Sequence, residues 1–376
     1  MPNGLRSTRN NKVRFAVVGL GHVSQTMILP AFAHAGENSQ LTALVSGNPA
    51  KLRRLSRKYG VEHTYSYERY SDCLHSGEID AVYVALPNNM HSAYTVAAAR
   101  SGIHVLCEKP MALEESECES MIAVVKEGGV KLMLAYPMHF GRGNLQAVEA
   151  IKSGKIGEPR IFTSVFSRQI MPASSRLKKD GGGGVLYEMG INCIHAARLL
   201  FGAEPLEVFA SGMSATEKRF REAPEICAGM LKFPNDHVAS FTVSFGAADS
   251  CAFEVIGTKG VLKMESAYEM AKDLKSEISI GDWKIKEIFS RHDQFVSQLL
   301  YFSNCVLHNR KPEPSGEVGL ADVRIIRALL LSAKTNMPVS ISPVGAGQAP
   351  DVSRDFLIAP VTRRLQSVRP VSSAAD

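Results

Sequence analysis

The sequence predicts an α/β fold in two parts. A doubly wound parallel sheet spans residues 13–136, and an α/β domain with a large open, mostly antiparallel sheet spans residues 137–343. Three observations predict it. Near-continuous apolar strands alternate with helical runs through the first third of the chain. A glycine turn follows the first of those strands. Beyond residue 137 the pattern changes to short strands joined by short loops.

The first strand is VRFAVVGLG, followed by a helix from about Val23 to Ala35. QLTALVSG is the second strand, and PAKLRRLSRKYG is a helix stopped by Gly60. IDAVYVALP is the next clear strand, then HSAYTVAAARSG, a helix ending in glycine. IHVLCE, a helix from about Leu113 to Glu127, and VKLMLAY complete the series. In the second part a helix over about Leu145–Lys152 leads into the strand segments PRIFTSVFSRQI, LEVFASGMS, EICAGMLKF, HVASFTVSF, CAFEVIGT, GVLKME and EISI. A helix over about Val185–Phe201 opens on four glycines. Two more, about Asp293–His308 and Gly319–Lys334, are expected on the outside. Residues 1–12 and 344–376 are expected to be tails.

A chain of 376 residues that is 45% hydrophobic has ample material for a large core. No apolar run approaches the ~18 residues of a membrane span. The polar start MPNGLRSTRNNK has no apolar signal region. The seven cysteines are dispersed and odd in number, which fits a reducing cytoplasm and no metal cluster. The net charge of +6 suits an anionic ligand. Basic and acidic residues are interspersed, so no nucleic-acid stripe is expected.

Gly19 and Gly21 lie in VVGLGHVS, at the first strand-to-helix turn. Glycine there lets the backbone of Gly19–Val23, His22 included, approach a pyrophosphate, and the helix start offers unpaired N–H groups. The third position of that fingerprint is Ser24. The second strand ends LVSGNPAK without an acid. Ser46, the backbone of Gly47, Asn48 and Lys51 suit a 2′-phosphate, so NADP is favoured over NAD. Leu86, Pro87, Asn88 and His91, after the third clear strand, are expected along the cofactor cleft. The segment HVLCEKPM ends a buried strand on Glu108-Lys109-Pro110. Lys109 is expected to point into the same cleft as an acid–base group, oriented by Glu108.

GLG, CEKP and a later GGGxLxxxG, together with SGNPAK, DAVYVALPN, INCIHAARLLFGAEP and GEVGLADVRII, resemble the Gfo/Idh/MocA oxidoreductases from about Val13 to Ile341. Within that family they look most like the glucose–fructose oxidoreductase branch. The resemblance implies a Rossmann domain with bound NADP, a sugar or polyol substrate, and a homo-oligomer (dimer or tetramer) formed through the second sheet. It also implies that Lys109 contacts the reacting hydroxyl. Members usually carry Asp-x-Gly-x-His or Asp-x-Gly-x-Tyr where this chain has Glu188-Met189-Gly190-Ile191-Asn192. An amide cannot move a proton at neutral pH, so Asn192 departs from the pattern. Tyr136-Pro137 replaces Tyr-Arg. Helix spacing puts Glu188, Asn192 and His195 on one face. His195 is therefore a candidate relay, or alternatively a packed core histidine. Arg176 and Lys178 are further candidate contacts. The alternative to an enzyme is a dinucleotide-binding sensor with weakened catalysis. A redox-assisted glycosidase is a third, minor option.

Overall fold

The computed structural model describes residues 11–170, 177, 181–213, 220, 224–269, 272–290 and 293–344. In the first sheet, β1 (Val13–Val18), β2 (Ser39–Val45), β3 (His63–Tyr65), β4 (Ala81–Val84), β5 (His104–Glu108) and β6 (Leu132–Ala135) are ordered β3-β2-β1-β4-β5-β6. Every pairing in it is parallel. The connecting helices are α1 (Leu29–Ala31), preceded by a π-helical turn at Ser24–Ile28, then α2 (Pro49–Tyr59), α3 (Tyr70–His75), α4 (His91–Arg100) and α5 (Glu115–Glu127). The strand order reverses between β1 and β4, which opens a crevice at their carboxyl ends. The four residues of β4 are all buried, as a strand covered on both faces requires.

A 3₁₀ turn at Pro137–Phe140 and α6 (Arg142–Lys152) lead into the second unit. Its elements are β7 (Pro159–Ser167), α7 (Ile191–Phe201), β8 (Glu207–Met213), β9 (Ile226–Lys232), β10 (Val238–Ser244), β11 (Ser250–Gly257), β12 (Val261–Glu265), β13 (Leu274–Ile280), β14 (Trp283–Phe289), α8 (Gln294–Leu307), α9 (Gly316–Thr335) and β15 (Val339–Ser340). The nine strands run β14-β13-β12-β11-β7-β10-β9-β8-β15, antiparallel except for β7 with β10. One face packs on helices. Along β7, Phe162 and Phe166 point inward, while Ile161 and Val165 stay 42% and 45% exposed on the other face.

Three strands escape the sequence pattern. β3 and β15 are only three and two residues long, and the edge strand β14, which carries Trp283, Ile285 and Phe289 on one face, lies largely in solvent. The helix expected from about Gly319 begins at Gly316. The two late helices do not lie outside. α8 packs under the first sheet, where Phe302 meets Phe15 at 6.1 Å between ring centroids, so the chain returns to finish the first core. The N-terminal tail up to residue 10 and the C-terminal tail from residue 345 fall outside the described residues.

Candidate active site

The phosphate end fits a dinucleotide. Gly19 has φ +92°, and a Cβ there would lie 2.3 Å from the Ala85 carbonyl oxygen, so the β1 and β4 ends approach as closely as only glycine permits. Above Gly21 the space is open, with nothing within 4 Å of a Cβ. The helical run that begins at residue 22 has no side-chain cap and no acid in its first turn, which leaves its N–H groups to an anion. Ser24 anchors the turn by donating to the Gly19 carbonyl at 2.6 Å.

At the end of β2, Ser46 is fully buried and its Oγ accepts from Asn48 N at 3.2 Å. Asn48 caps α2, its Oδ1 accepting from Lys51 N at 3.0 Å. Both side chains act here as acceptors, which leaves the Ser46 hydroxyl proton and the Asn48 amide nitrogen as donors. Exposed Gly47 and half-buried Lys51 remain at the surface beside them.

The chemistry end gathers residues from three elements. Lys109 Nζ donates to the Glu188 carbonyl oxygen at 3.2 Å. Asn192 Nδ2 donates to the same oxygen at 3.2 Å and to the Met189 carbonyl at 3.2 Å. The Glu188 carboxylate accepts from Asn88 Nδ2 at 3.1 Å, and Asn88 also donates to Gly182 O at 2.9 Å. A π-helical turn at Leu186–Gly190, just before α7, displaces carbonyls from the regular ladder and lets one oxygen take two side-chain donors. Asn88, Lys109, Glu188 and Asn192 therefore form one cluster at the carboxyl ends of β4 and β5.

Glu108 lies beneath it and accepts from the buried Tyr83 hydroxyl at 3.0 Å. Burial pushes its carboxyl pKa up to about 6, against the pull of Lys109 and Tyr83. The Lys109–Pro110 peptide is cis.

His91 does not face the cleft, contrary to expectation. It is fully buried, with Nδ1 2.7 Å from the Pro110 carbonyl and Nε2 2.9 Å from that of Leu86, because the ring bridges the two turns that bear Pro87 and Lys109. Burial pulls its pKa below the usual histidine value.

His195 is held in a buried network. Its Nδ1 lies 2.9 Å from Asp322 Oδ2, its Nε2 lies 2.7 Å from His139 Nε2, and Tyr136 stacks on it at 4.0 Å. Asp322 also accepts from Tyr136 at 2.5 Å and from Arg198 at 2.6 Å. Burial alone would raise the Asp322 pKa, but Arg198 and His195 outweigh it and hold the carboxyl below its usual range. Both ring nitrogens of His195 are committed inside the protein, although the ring edge lines a small pocket together with Asn192.

Sequence reasoning missed Tyr83, His139 and Asp322. An acid inside the apolar run of α9 was the available signal for Asp322, but its partners are distant in sequence. Arg176 and Lys178 lie outside the described residues. Among the described residues, no group of His, Cys, Asp and Glu could hold a metal ion, and no helix is long and apolar enough to cross a membrane.

Comparison with known proteins agrees with this architecture. Residues 13–136 match the GFO/IDH/MocA oxidoreductase family model, with its NAD-binding Rossmann fold, and residues 144–263 match that family's C-terminal domain. The chain is 30% identical over 344 residues to a D-xylose 1-dehydrogenase [NADP(+)] from Haloarcula marismortui, covering 89% of this chain and 95% of that protein. The crystal structure of an aldose–aldose oxidoreductase from Caulobacter crescentus complexed with glycerol superposes with a TM-score of 0.83 at 34% identity, covering 88% and 100% of the two chains. A 3-ketoreductase from Actinomadura kijaniata in complex with NADP and TDP-benzene gives a TM-score of 0.78 at 27% identity, covering 86% and 98%. With both halves matched and the glycine turn and strand-end lysine in place, the chain belongs to the GFO/IDH/MocA oxidoreductase family.

Proposed function

We propose that this protein is an NADP-dependent oxidoreductase acting on the CH–OH group of a sugar or related polyol, with Lys109 as its acid–base residue. The observation that carries the reading is the convergence of Lys109, Asn192 and Asn88 on Glu188, beside a glycine turn built for a pyrophosphate.

The backbone of Gly19, Gly21, His22 and Val23 would hold the pyrophosphate. Gly47 and Lys51 would meet the 2′-phosphate, since no acid stands at the β2 end to repel it. Leu86, Pro87, Asn88 and Glu108 would line the nicotinamide side. Bound there, the cofactor supplies the hydride chemistry.

The chain's own residues hold and move the proton. Lys109 Nζ, fixed by the Glu188 carbonyl, takes the hydroxyl proton during oxidation and returns it during reduction. Glu188 is oriented by Asn88 and orders substrate hydroxyls. Asn192 holds a position and carries no proton. Relatives named as acting on D-xylose with NADP, and a neighbour solved with NADP, support the substrate class and cofactor. The unpaired cysteines support a reducing, cytoplasmic setting.

The sensor reading retains one supporting observation, that Asn192 spends its amide nitrogen on its own helix. The substitution Lys109→Met is expected to lower turnover roughly 100-fold or more while NADP affinity stays within about twofold. Undiminished turnover of a polyol panel by K109M overturns the assignment. Tight NADP binding with no turnover by the wild type favours the sensor.

A further inference from the structure

Resting on that reading, we propose that Asn144 and Gln294 form a hydroxyl-accepting subsite that fixes which neutral polyol the enzyme selects. A small pocket opens on the side of α7 that carries Asn192 and His195, and Asn144, Gln294 and Tyr268 form its other walls. It has room for little more than one or two water-sized groups, which suits a hydroxyl or hydroxymethyl arm rather than a whole sugar ring.

Asn144 is only 2% exposed, yet its Oδ1 has no hydrogen-bond partner among the described residues. The buried Oε1 of Gln294 is in the same position. Several other polar groups of the pocket are engaged. Tyr268 OH shares a hydrogen bond with Ser164, both His195 nitrogens are paired, and Asn192 Nδ2 is spent on Glu188 and Met189.

Gly141 explains why the two amides stand together. A Cβ there would come within 2.9 Å of Asn144 Nδ2 and 3.3 Å of Gln294 Nε2, so both nitrogens crowd the bare glycine and the oxygens are left to the pocket. Two buried acceptors without donors are costly, and a ligand that brings donors relieves both. Among the described residues no carboxylate or ammonium lines the pocket, and two amide oxygens repel an anion, so the fitting group is an uncharged alcohol. The pocket adjoins the chemistry through Asn192, which shares the Glu188 carbonyl with Lys109.

The experiment is calorimetry on the full chain saturated with NADP, titrated with D-glucose, D-xylose and their monodeoxy derivatives. NADP reduction is followed in parallel. In the wild type, removing one hydroxyl is expected to weaken binding roughly 10-fold or more. Asn144→Leu or Gln294→Met should weaken binding of the parent sugar by a similar factor and no longer distinguish the deoxy sugar. Gly141→Ala, which displaces both amides, should act likewise and serves if either first variant fails to fold. Variants that bind the parent sugar as the wild type does, or that still discriminate the deoxy sugar, overturn the subsite and leave the oxygens to water. Binding without NADP reduction, sensitive to these substitutions, supports the subsite and sinks the dehydrogenase reading. Turnover indifferent to them does the reverse, and no binding of any sugar overturns both.

Discussion

Glu108 shows how one residue at the strand end couples folding to pH. Its carboxyl is held near pH 6, above the ordinary 4.5, because burial disfavours the charged form. The folded state therefore binds the proton more tightly than the unfolded chain. Its contribution to stability should fall as pH rises from 4.5 through about 6, and the full penalty is present above that window, while buried His91, whose pKa is lowered, contributes with the opposite sign. The loss is at most about 2 kcal/mol. In urea unfolding across this range, Glu108→Gln is expected to remove this contribution to the slope. Tyr83→Phe should extend the window to higher pH, because it deletes a hydrogen bond to the charged form in the folded state. An unchanged slope in E108Q would remove Glu108 as its source. At the same scale, the carbonyl of residue 188 helps to hold the flexible ammonium of Lys109 in place.

The turn between β1 and its helix makes a prediction at the level of the element. Gly19 and Gly21 are two residues apart, but they are needed for different reasons. At Gly19 a side chain meets both a positive φ and the Ala85 carbonyl. Gly19→Ala should therefore cost roughly 2 kcal/mol or more of stability as well as NADP binding. At Gly21 a methyl group meets no protein atom. Gly21→Ala should keep the melting temperature within a few degrees and still weaken NADP at least about 10-fold, by occupying the space of the pyrophosphate. Equal effects on stability would refute the separation. The π-helical turn ahead of α7 is the other element with a direct role, since its spare carbonyl receives Lys109 and Asn192 together.

Among the described residues, one sheet face is left uncovered. Ile161, Val165 and Met230 lie on it at 42%, 45% and 47% exposure, flanked in register by Val238, Thr242 and Ala252. A broad apolar patch of this kind is a candidate interface between copies of the chain. Light scattering is expected to give the mass of a dimer or tetramer for the wild type and of a monomer for Val165→Lys. A monomeric wild type ends the oligomer reading. The path of the chain matters at this scale too. α8 comes late in the sequence but completes the core of the first sheet, so the two units cannot be separated by one cut.

Strand alternation, the glycine turn and the lysine that ends β5 were determined by sequence alone. Each depends on residues adjacent in the chain, on periods of two or 3.6, or on a φ that only glycine adopts readily. Tertiary structure decided the rest. It turned His91 inward to bridge two turns, closed the His195 network with an aspartate 127 positions away, and set Asn144 beside Gln294 over one bare glycine. These arrangements depend on which surfaces meet when helices pack on sheets, and local periodicity holds no record of a contact between residues of different elements.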